Sequence, residues 1–274
     1  MSKVRLDDTN PVVETLLIPL RARALEARRA SPLVLDPHAS KLLDHIECDS
    51  SRFRLSAQDQ TSILLRLREF DRRAQLFLAA HPDAVVVHIG CGLDTRFDRV
   101  DDGRVRWFDL DLPEVIALRR QLIDETPRCR MIGGSVFEGA WLQMVGPAAG
   151  RAFLFLAEGV LPYFEPAQVR ALVLTLQERF PGSELVFDGM TPFMIWLHNL
   201  ELRSSRVRAR LRWGLRHGRE LESWSPGLHL VEEWYYFDRP EPRLGASRMM
   251  RYIPALAKGV GVFHYRLGAS DSPG

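Results

Sequence analysis

The stretch HIGCGLDTR, residues 88–96, carries the strongest structural signal in the sequence. It overlaps the end of the apolar run AVVVHI, residues 84–89, which is typical of a strand buried in a parallel sheet. Gly90 and Gly92 then leave the strand, and glycine permits the positive φ angles of a sharp turn and a close approach of a ligand to the backbone. Open α/β sheets bind ligands at the carboxyl ends of their strands. The turn is therefore a candidate ligand site, although a Gly-x-Gly pair alone is equally compatible with an ordinary tight turn.

Strand patterns alternate with helix patterns from residue 84 onward. Helices are predicted from Val115 to Ile123, just after Pro113, and from Pro166 to Phe180. Such alternation predicts parallel strands joined by crossover helices, which is a doubly wound α/β sheet. The last two strands are predicted to pair antiparallel at one edge, so the sheet is seven-stranded and mostly parallel. The seven predicted strands are 84–89, 105–110, 130–132, 153–157, 184–188, 230–237 and 261–267.

Helical patterns outside this alternation predict a cap over the sheet. One pattern lies near the amino terminus and includes Thr15–Arg29, and the other is the aromatic and arginine-rich span 190–228. Between the first of these and the sheet, Ser56–Ala80 has apolar residues at helical spacing. We expect one domain over residues 1–274, with the cap at about 1–60 and 190–228 and the core at about 61–189 and 229–267.

The composition excludes several classes of protein. The 37 Lys and Arg residues nearly balance the 35 Asp and Glu residues, and a net charge of +2 does not indicate a nucleic-acid partner. Cys48, Cys91 and Cys129 are too few and too dispersed for a zinc cluster, so no metal is expected, and their odd number suits a reducing compartment. Neither a signal-peptide pattern nor an apolar run of roughly 18 residues is present. We therefore expect a cytoplasmic protein without a membrane partner.

Two aspartates at the end of the second predicted strand strengthen the interpretation of the glycine turn as a ligand site. Asp109 and Asp111 lie 19 and 21 residues beyond Gly90. A carboxylate about 20 residues after the glycines accepts hydrogen bonds from the ribose hydroxyls in nucleoside-binding sheets. Two structural alternatives remain: Asp111 as the N-cap of the helix at Pro113, and Asp109 as a solvated surface residue.

The third position of the dinucleotide fingerprint differs from the pattern. Gly-x-Gly-x-x-Gly uses its third glycine for close helix packing at the pyrophosphate site, and here that position is Thr95. The turn therefore predicts a nucleoside ligand without a pyrophosphate. S-adenosylmethionine, which leaves S-adenosylhomocysteine as its product, is the expected cofactor.

Three motifs in order give the chain a specific resemblance to a known family. HIGCGLDTR (88–96), WFDLDLPEVI (107–116) and LAEGVLPYF (156–164) resemble the class I S-adenosylmethionine-dependent methyltransferases of the leucine carboxyl methyltransferase family. The bacterial branch with polyketide O-methyltransferases of the tetracenomycin type is most similar. The resemblance runs from about Glu14 to Leu267.

The resemblance implies roles for the residues of the first two motifs. Gly90 corresponds to the glycine under the methionine part of the cofactor, and Gly92 belongs to the same turn. Asp111, immediately before Leu-Pro, corresponds to the ribose ligand, which favours it over Asp109.

Four more cofactor contacts follow from the resemblance. Ser135 and Val136 occupy the positions that flank the adenine, where many relatives have Asp-Leu, so the side-chain bond to the adenine amino group is in doubt. Glu158 corresponds to the glutamate after the fourth strand, and Arg66 to an arginine that reaches the cofactor carboxylate.

Several residues are candidates for the acceptor side, each with a structural alternative. Tyr163 either faces the acceptor or packs in the core. Seven arginines between Arg203 and Arg219 either bind an acidic substrate or a carrier's phosphate, or form a solvated helix face. Four tryptophans either line an aromatic acceptor pocket or fill the core of the cap. They are Trp196, Trp213, Trp224 and Trp234.

These observations predict an S-adenosylmethionine-dependent O-methyltransferase that acts on a carboxylate or hydroxyl of a small molecule, such as a polyketide-type metabolite, free or carrier-bound. An ionised carboxylate needs no general base, whereas a phenol benefits from one. No catalytic residue is predicted, since the sequence does not distinguish these acceptors. The alternatives are a non-catalytic S-adenosylmethionine-binding protein and an NAD-dependent oxidoreductase.

Overall fold

Two helices and a small two-stranded ladder precede the main sheet. The computed structural model describes residues 4–5, 11–47, 55–146, 150–202, 210–239 and 241–269. Helices α1 (Pro11–Glu26) and α2 (Pro37–Asp44) pack together, and strands β1 (Val4–Arg5) and β2 (Ile46–Glu47) pair parallel. Asp36 accepts hydrogen bonds from the N–H groups of His38 and Ala39, both at 3.1 Å, and so satisfies the free donors of the first turn of α2.

Helix α3, Ala57–Ala80, lies across one face of the sheet. It begins after Ser56, whose hydroxyl accepts a hydrogen bond from the N–H of Asp59 at 3.1 Å. Its apolar face, which includes Phe70 and Phe77, packs on Val86 and Leu154 of the strands. The helix predicted from the spacing of apolar residues over 56–80 is confirmed.

A seven-stranded sheet forms the centre of the described part of the chain, in the order β5-β4-β3-β6-β7-β9-β8. Its strands are β3 (Val85–Ile89), β4 (Arg106–Asp111), β5 (Cys129–Gly133), β6 (Phe153–Ala157), β7 (Ser183–Met190), β8 (Leu228–Tyr235) and β9 (Val260–Leu267). The first five are parallel, and β9 pairs antiparallel with both β7 and β8. The predicted doubly wound, mostly parallel sheet is confirmed. Because the strand order reverses between β3 and β6, a ligand crevice is expected there.

The helices that connect the parallel strands along the chain cover the sheet. They are α4 (Arg96–Val100), α5 (Pro113–Arg119), α6 (Ala140–Val145) and α7 (Pro166–Arg179), with a 3₁₀ turn at Leu161–Tyr163. Helix α7 packs Val169, Val173 and Leu176 against one face, opposite the face covered by α3. None of the helices in the described portion is long and apolar enough to cross a membrane.

The prediction of a helical span over 190–228 is only partly correct. Helix α8 covers Pro192–Leu202, and a 3₁₀ helix covers Glu220–Ser223, but residues 210–219 are not helical. In that segment the N–H of Trp213 donates to the carbonyl of Pro162, and the N–H of Leu215 donates to that of Met190. The segment therefore bonds to other parts of the backbone and buries Trp213 and Leu215 against the sheet, and it does not form a helix. A 3₁₀ stretch at Pro242–Tyr252 and a helix α9 at Pro254–Ala257 were not predicted.

Candidate functional site

The glycine turn at the end of β3 has a backbone conformation that residues other than glycine adopt only with strain. Gly90 has φ +67° and Gly92 has φ +51°. A Cβ atom at Gly90 would lie 2.2 Å from Cγ2 of Val160, so a side chain cannot be accommodated without displacing that valine. The N–H of Gly90 donates to the carbonyl of Leu110 at 2.7 Å, which ties the turn to β4. The sequence signal of two glycines therefore corresponds to a compact turn at the switch point of the sheet.

Asp111, the last residue of β4, is joined to this turn. Its Oδ2 accepts a hydrogen bond from the N–H of Gly92 and its Oδ1 one from the N–H of Leu112, both at 2.8 Å. The side chain does not cap helix α5, whose N-cap is Leu112, so the structural alternative of a capping aspartate is wrong. Burial raises the pKa of the Asp111 carboxyl above its usual value, and the two N–H donors offset only part of that effect.

Asp109 has a different environment. It is 1% exposed, which contradicts the alternative of a solvated surface residue. Its Oδ1 accepts from the indole N–H of Trp107 at 2.8 Å, and its Oδ2 from the Arg119 guanidinium at 2.6 Å. Burial opposes ionisation, but Arg119 and these hydrogen bonds hold the pKa of Asp109 below its usual value. Since Arg119 also donates to the carbonyl of Gly92 at 3.0 Å, Asp109 supports the glycine turn from within the core.

Ser135 and Val136 follow the end of β5, next to Asp111. The N–H of Gly134 donates to the carbonyl of Asp111 at 2.9 Å, which sets the position of the segment that follows. Both side chains are half-buried. The hydroxyl of Ser135 accepts from the N–H of Phe137 at 3.3 Å, and the carbonyl of Val136 accepts from the indole of Trp141 at 3.0 Å.

Glu158, directly after β6, lies between two arginines. Arg66 Nε donates to Glu158 Oε1 at 2.9 Å, and Arg96 donates to Oε2. Burial alone would raise the pKa of Glu158, but Arg96 and Arg66 outweigh it and keep that pKa below the usual value. Arg66 Nη1 also donates to Oδ2 of Asp188 at 3.0 Å, so the guanidinium is held by two carboxylates from neighbouring strands.

His88 lies buried between Arg96 and Asp109 beneath the site. Arg96 Nη1 lies 3.1 Å from Nε2 of His88, and because a guanidinium only donates, that nitrogen is the acceptor. The other ring nitrogen, Nδ1, lies 3.6 Å from Oδ1 of Asp109, which is beyond hydrogen-bond distance. His88 is 2% exposed and is a buried structural residue.

The candidate residues lie in a row along the carboxyl edge of the sheet. Ser135 and Val136 follow β5, Asp111 ends β4, the glycines follow β3 and Glu158 follows β6. Four adjacent strands span three spacings of about 4.8 Å, or about 14 Å. The row therefore fits an elongated ligand. The half-buried Ser135 and Val136 lie at one end, the carboxylate of Asp111 can accept hydrogen bonds in the middle, and the guanidinium of Arg66 lies at the other end. Among the described residues, no group of His, Cys, Asp and Glu could hold a metal ion.

Comparison with known proteins connects this row to a family. Residues 17–177 match the sequence model of the family described as leucine carboxyl methyltransferase. The chain belongs to this family. It is 38% identical to the tetracenomycin polyketide synthesis O-methyltransferase TcmP of Streptomyces glaucescens, over 89% of this chain and 93% of that one. It is 30% identical to the S-adenosyl-L-methionine-dependent methyltransferase dpfgK of Gibberella zeae, over 81% of each chain.

Solved structures share the fold of this methyltransferase at low sequence identity. A DUF574 family protein of Streptomyces avermitilis superposes with a TM-score of 0.56 at 15% identity, over 90% of this chain and 96% of that one. An O-methyltransferase family protein of Burkholderia thailandensis superposes with a TM-score of 0.50 at 15% identity, over 98% of this chain and 76% of that one. The family model and these relatives show that the protein is an S-adenosylmethionine-dependent methyltransferase.

On the acceptor side, the methyltransferase does not bring the four tryptophans together. Trp213 is buried on the sheet face covered by α7, and its ring centroid lies 6.4 Å from that of Trp224. Trp234 packs with the opposite face, and Trp196 is exposed on α8. The prediction of a single pocket lined by all four is therefore wrong, because Trp234 lies on the other face of the sheet from Trp213 and Trp224.

The described part of the arginine-rich segment contains two exposed ion pairs. Arg203, Arg206 and Arg208 lie outside the described residues. Arg212 pairs with Glu165 at 2.6 Å, and Arg219 pairs with Glu222 at 3.3 Å. These exposed ion pairs agree with the alternative of a solvated face, although residues 210–219 are not helical.

Three polar residues of the methyltransferase site were missed by the sequence reasoning. Asp188 was predicted only as the end of a strand, although a carboxylate at that position is the same signal that identified Asp111. Tyr236 is buried, and its phenol is close enough to Arg66 to be affected by the charge of that guanidinium. Asp36 is fully buried and accepts from Arg23 at 2.8 Å and from Thr95 at 2.7 Å. The sequence contains no signal for the last two contacts, since their partners lie far along the chain.

Proposed function

We propose that this methyltransferase transfers a methyl group to a carboxylate or hydroxyl oxygen of a small molecule of polyketide type. The observation that carries the proposal is the 38% identity, over nearly the whole length of both chains, to a relative named for O-methylation in polyketide synthesis. We also propose that residues 1–274 act as one domain, because the arginines and acids of the site come from α1, α3 and the sheet together.

The proposed cofactor contacts follow the row of residues. Asp111 would receive the ribose hydroxyls, Ser135 and Val136 would flank the adenine, and the Gly90–Gly92 turn would lie under the methionine part. Glu158 and Arg66 would bind at the amino-acid end. The fit rests on the tight glycine turn, where a Cβ at Gly92 would lie 2.9 Å from Cδ2 of Leu16, and on the carboxylate of Asp111 beside it.

Methyl transfer requires mainly that the protein position the two reactants. When bound, S-adenosylmethionine supplies an electrophilic methyl group, and the protein has to hold the acceptor oxygen in line with it. Positioning of this kind contributes roughly 7–11 kcal/mol. Glu158 is a weak base because Arg96 and Arg66 hold its pKa below the usual value. A carboxylate acceptor is already ionised at neutral pH and needs no general base, whereas a phenol benefits from one.

Ligand binding tests the cofactor half of the proposal. Calorimetry should show binding of S-adenosylhomocysteine and negligible binding of NAD, because the dinucleotide fingerprint ends in Thr95, whose hydroxyl donates to Asp36. Tight binding of NAD without binding of S-adenosylhomocysteine would contradict the proposal.

Product chemistry tests the acceptor half. The protein is incubated with methyl-labelled S-adenosylmethionine and a set of aromatic polyketide-type hydroxy acids, with their methyl esters as controls. A product that loses its label in mild alkali is an ester, and a stable product is an ether. Absence of label in every oxygen acceptor, with label found on an amine control, would refute O-methylation.

A further inference from the structure

Asp188 lies at the carboxyl end of β7, one strand beyond Glu158. Its side chain is 3% exposed. Oδ2 accepts from Arg66 Nη1 at 3.0 Å, and Oδ1 accepts from the N–H of Gly159 at 2.6 Å. The carboxylate therefore holds the Arg66 side chain and the backbone that follows Glu158 at the same time.

The alternation of side chains along β7 explains why this aspartate meets α3. Val186 packs with the face that α3 covers, and Asp188, two residues later, points to the same face. Arg66 extends from α3 over the end of the strands. A carboxylate at this register is therefore placed under the guanidinium by the pleat of the strand.

Arg66 depends on Asp188 because its other carboxylate is shared. Glu158 also accepts from Arg96, so one negative charge there serves two guanidinium groups. The Arg66 side chain is 17% exposed, and a guanidinium with little access to water needs fixed acceptors to keep one orientation. Asp188 supplies the second acceptor, and burial raises the pKa of its carboxyl although Arg66 opposes this.

We propose that Asp188 is a positioning residue, which sets the Arg66 guanidinium in the orientation that receives the carboxylate of the cofactor's methionine part. This inference rests on the proposed role of Arg66 in cofactor binding. Asp188 itself would touch Arg66 and Gly159 rather than the ligand.

The substitution Asp188→Asn tests the contact selectively. The amide oxygen can still accept from Gly159, whereas the amide nitrogen that faces Arg66 is a donor and cannot accept from it. The affinities of S-adenosylhomocysteine and of 5′-methylthioadenosine, which lacks the amino-acid part, are measured by calorimetry. We expect at least tenfold weaker binding of S-adenosylhomocysteine and a change below twofold for methylthioadenosine.

Glu184→Gln is the matched control. Glu184 lies on the same strand and face, is 8% exposed and pairs with His264 at 2.6 Å. Four residues of strand separate it from Asp188 by about 13 Å. This variant should leave the ratio of the two affinities unchanged.

A double-mutant cycle tests whether Asp188 acts through Arg66. In an Arg66→Gln background, Asp188→Asn should change the affinity for S-adenosylhomocysteine less than twofold. A further large loss there, an equal loss for both ligands, or no loss for either would each overturn the positioning role. If Asp188→Asn does not fold, Asp188→Glu retains the charge and displaces the carboxylate. It should give the same selective loss, and an unchanged ratio would overturn the proposal. Wild-type protein that binds neither ligand would instead refute the cofactor assignment, and the role of Asp188 with it.

Discussion

Oδ2 of Asp111 accepts a hydrogen bond from the backbone N–H of Gly92 at 2.8 Å, so the aspartate that ends β4 holds the glycine turn that follows β3. The two sequence features that indicate a nucleoside site are therefore one structural unit. From the other side, Arg119 donates to the carbonyl of the same glycine and is paired with Asp109. Two aspartates thus act on one peptide turn, one at the ligand edge and one in the core.

The substitution Asp111→Asn should separate the ligand role from a structural one. The change keeps the shape but replaces one acceptor oxygen by a donor and removes the charge. We expect a folded protein that loses about 1–3 kcal/mol of unfolding free energy, because the N–H of Gly92 or of Leu112 loses its acceptor. We also expect at least tenfold weaker binding of S-adenosylhomocysteine, which corresponds to about 1.4 kcal/mol. Calorimetry and thermal unfolding measure the two quantities. Normal affinity would show that the ribose is bound elsewhere.

Asp109→Asn is the complementary variant, with the smaller direct effect on binding. Removal of this charge leaves the buried Arg119 without its carboxylate partner. Breaking a buried ion pair costs about 3–5 kcal/mol of unfolding free energy. Chemical denaturation should therefore show a large loss of stability, and an Asp109→Asn protein that is stable but loses ligand binding would indicate that the motif alignment is shifted by two residues.

Asp36→Asn should loosen the amino-terminal helices. Asp36 accepts from Arg23 on α1, from Thr95 beside the glycine turn and from Arg99 on α4. We expect a loss of about 3–5 kcal/mol of unfolding free energy, since Arg23 keeps its charge in a buried position. Limited proteolysis should cut first between α1 and α2. The exposed Asp44→Asn on α2 is the control, with a change within about 0.5 kcal/mol. Equal stability of the two variants would contradict the role of Asp36 as a buried carboxylate that joins several elements.

Trp196→Ala should affect the acceptor and not the cofactor. Trp196 is 60% exposed on α8, where its ring stacks 6.0 Å from that of Phe193. Affinity for S-adenosylhomocysteine and the melting temperature should remain nearly unchanged, while product formation changes. The control Trp213→Ala, at a site only 3% exposed, should cost about 3–5 kcal/mol of stability. A Trp196→Ala protein that folds but no longer binds S-adenosylhomocysteine would refute this assignment. Arg203, the other candidate in this segment, lies outside the described residues.

The stabilisation by Asp94 should be lost in acid. Burial opposes its ionisation, but Arg99 at 2.9 Å, Arg96 at 3.2 Å and Arg23 at 3.7 Å hold the pKa of Asp94 well below the usual value. The folded state therefore binds the proton less tightly than the unfolded state, and the contribution is complete above the unfolded pKa of about 3.9. Denaturation experiments on wild type and Asp94→Asn should give a constant stability difference from pH 7 to 5. The difference should shrink as the pH falls below about 4, and a difference that grows in acid would be inconsistent with the sign of the shift.

The sequence alone predicted the strand ends well, because local signals mark them. Apolar runs that end at a glycine or an acidic residue located β3, β4 and β6, and the helical period of 56–80 located α3. The non-helical segment 210–219 could not be predicted, since its structure depends on backbone bonds to Pro162 and Met190 and on the burial of Trp213. Those partners belong to other elements of the fold.

What the sequence by itself determined is the class of fold, the family and the row of candidate residues at the strand ends, since each depends on residue type and short-range spacing. Only the tertiary structure decided which charges meet. Asp36 and Arg99 are 63 positions apart, and Arg66 and Asp188 are 122 positions apart. These pairs form because packing of α1, α3 and the strands removes their charges from water, and a buried charge is stable only where the fold brings an opposite charge or a hydrogen-bond partner to it.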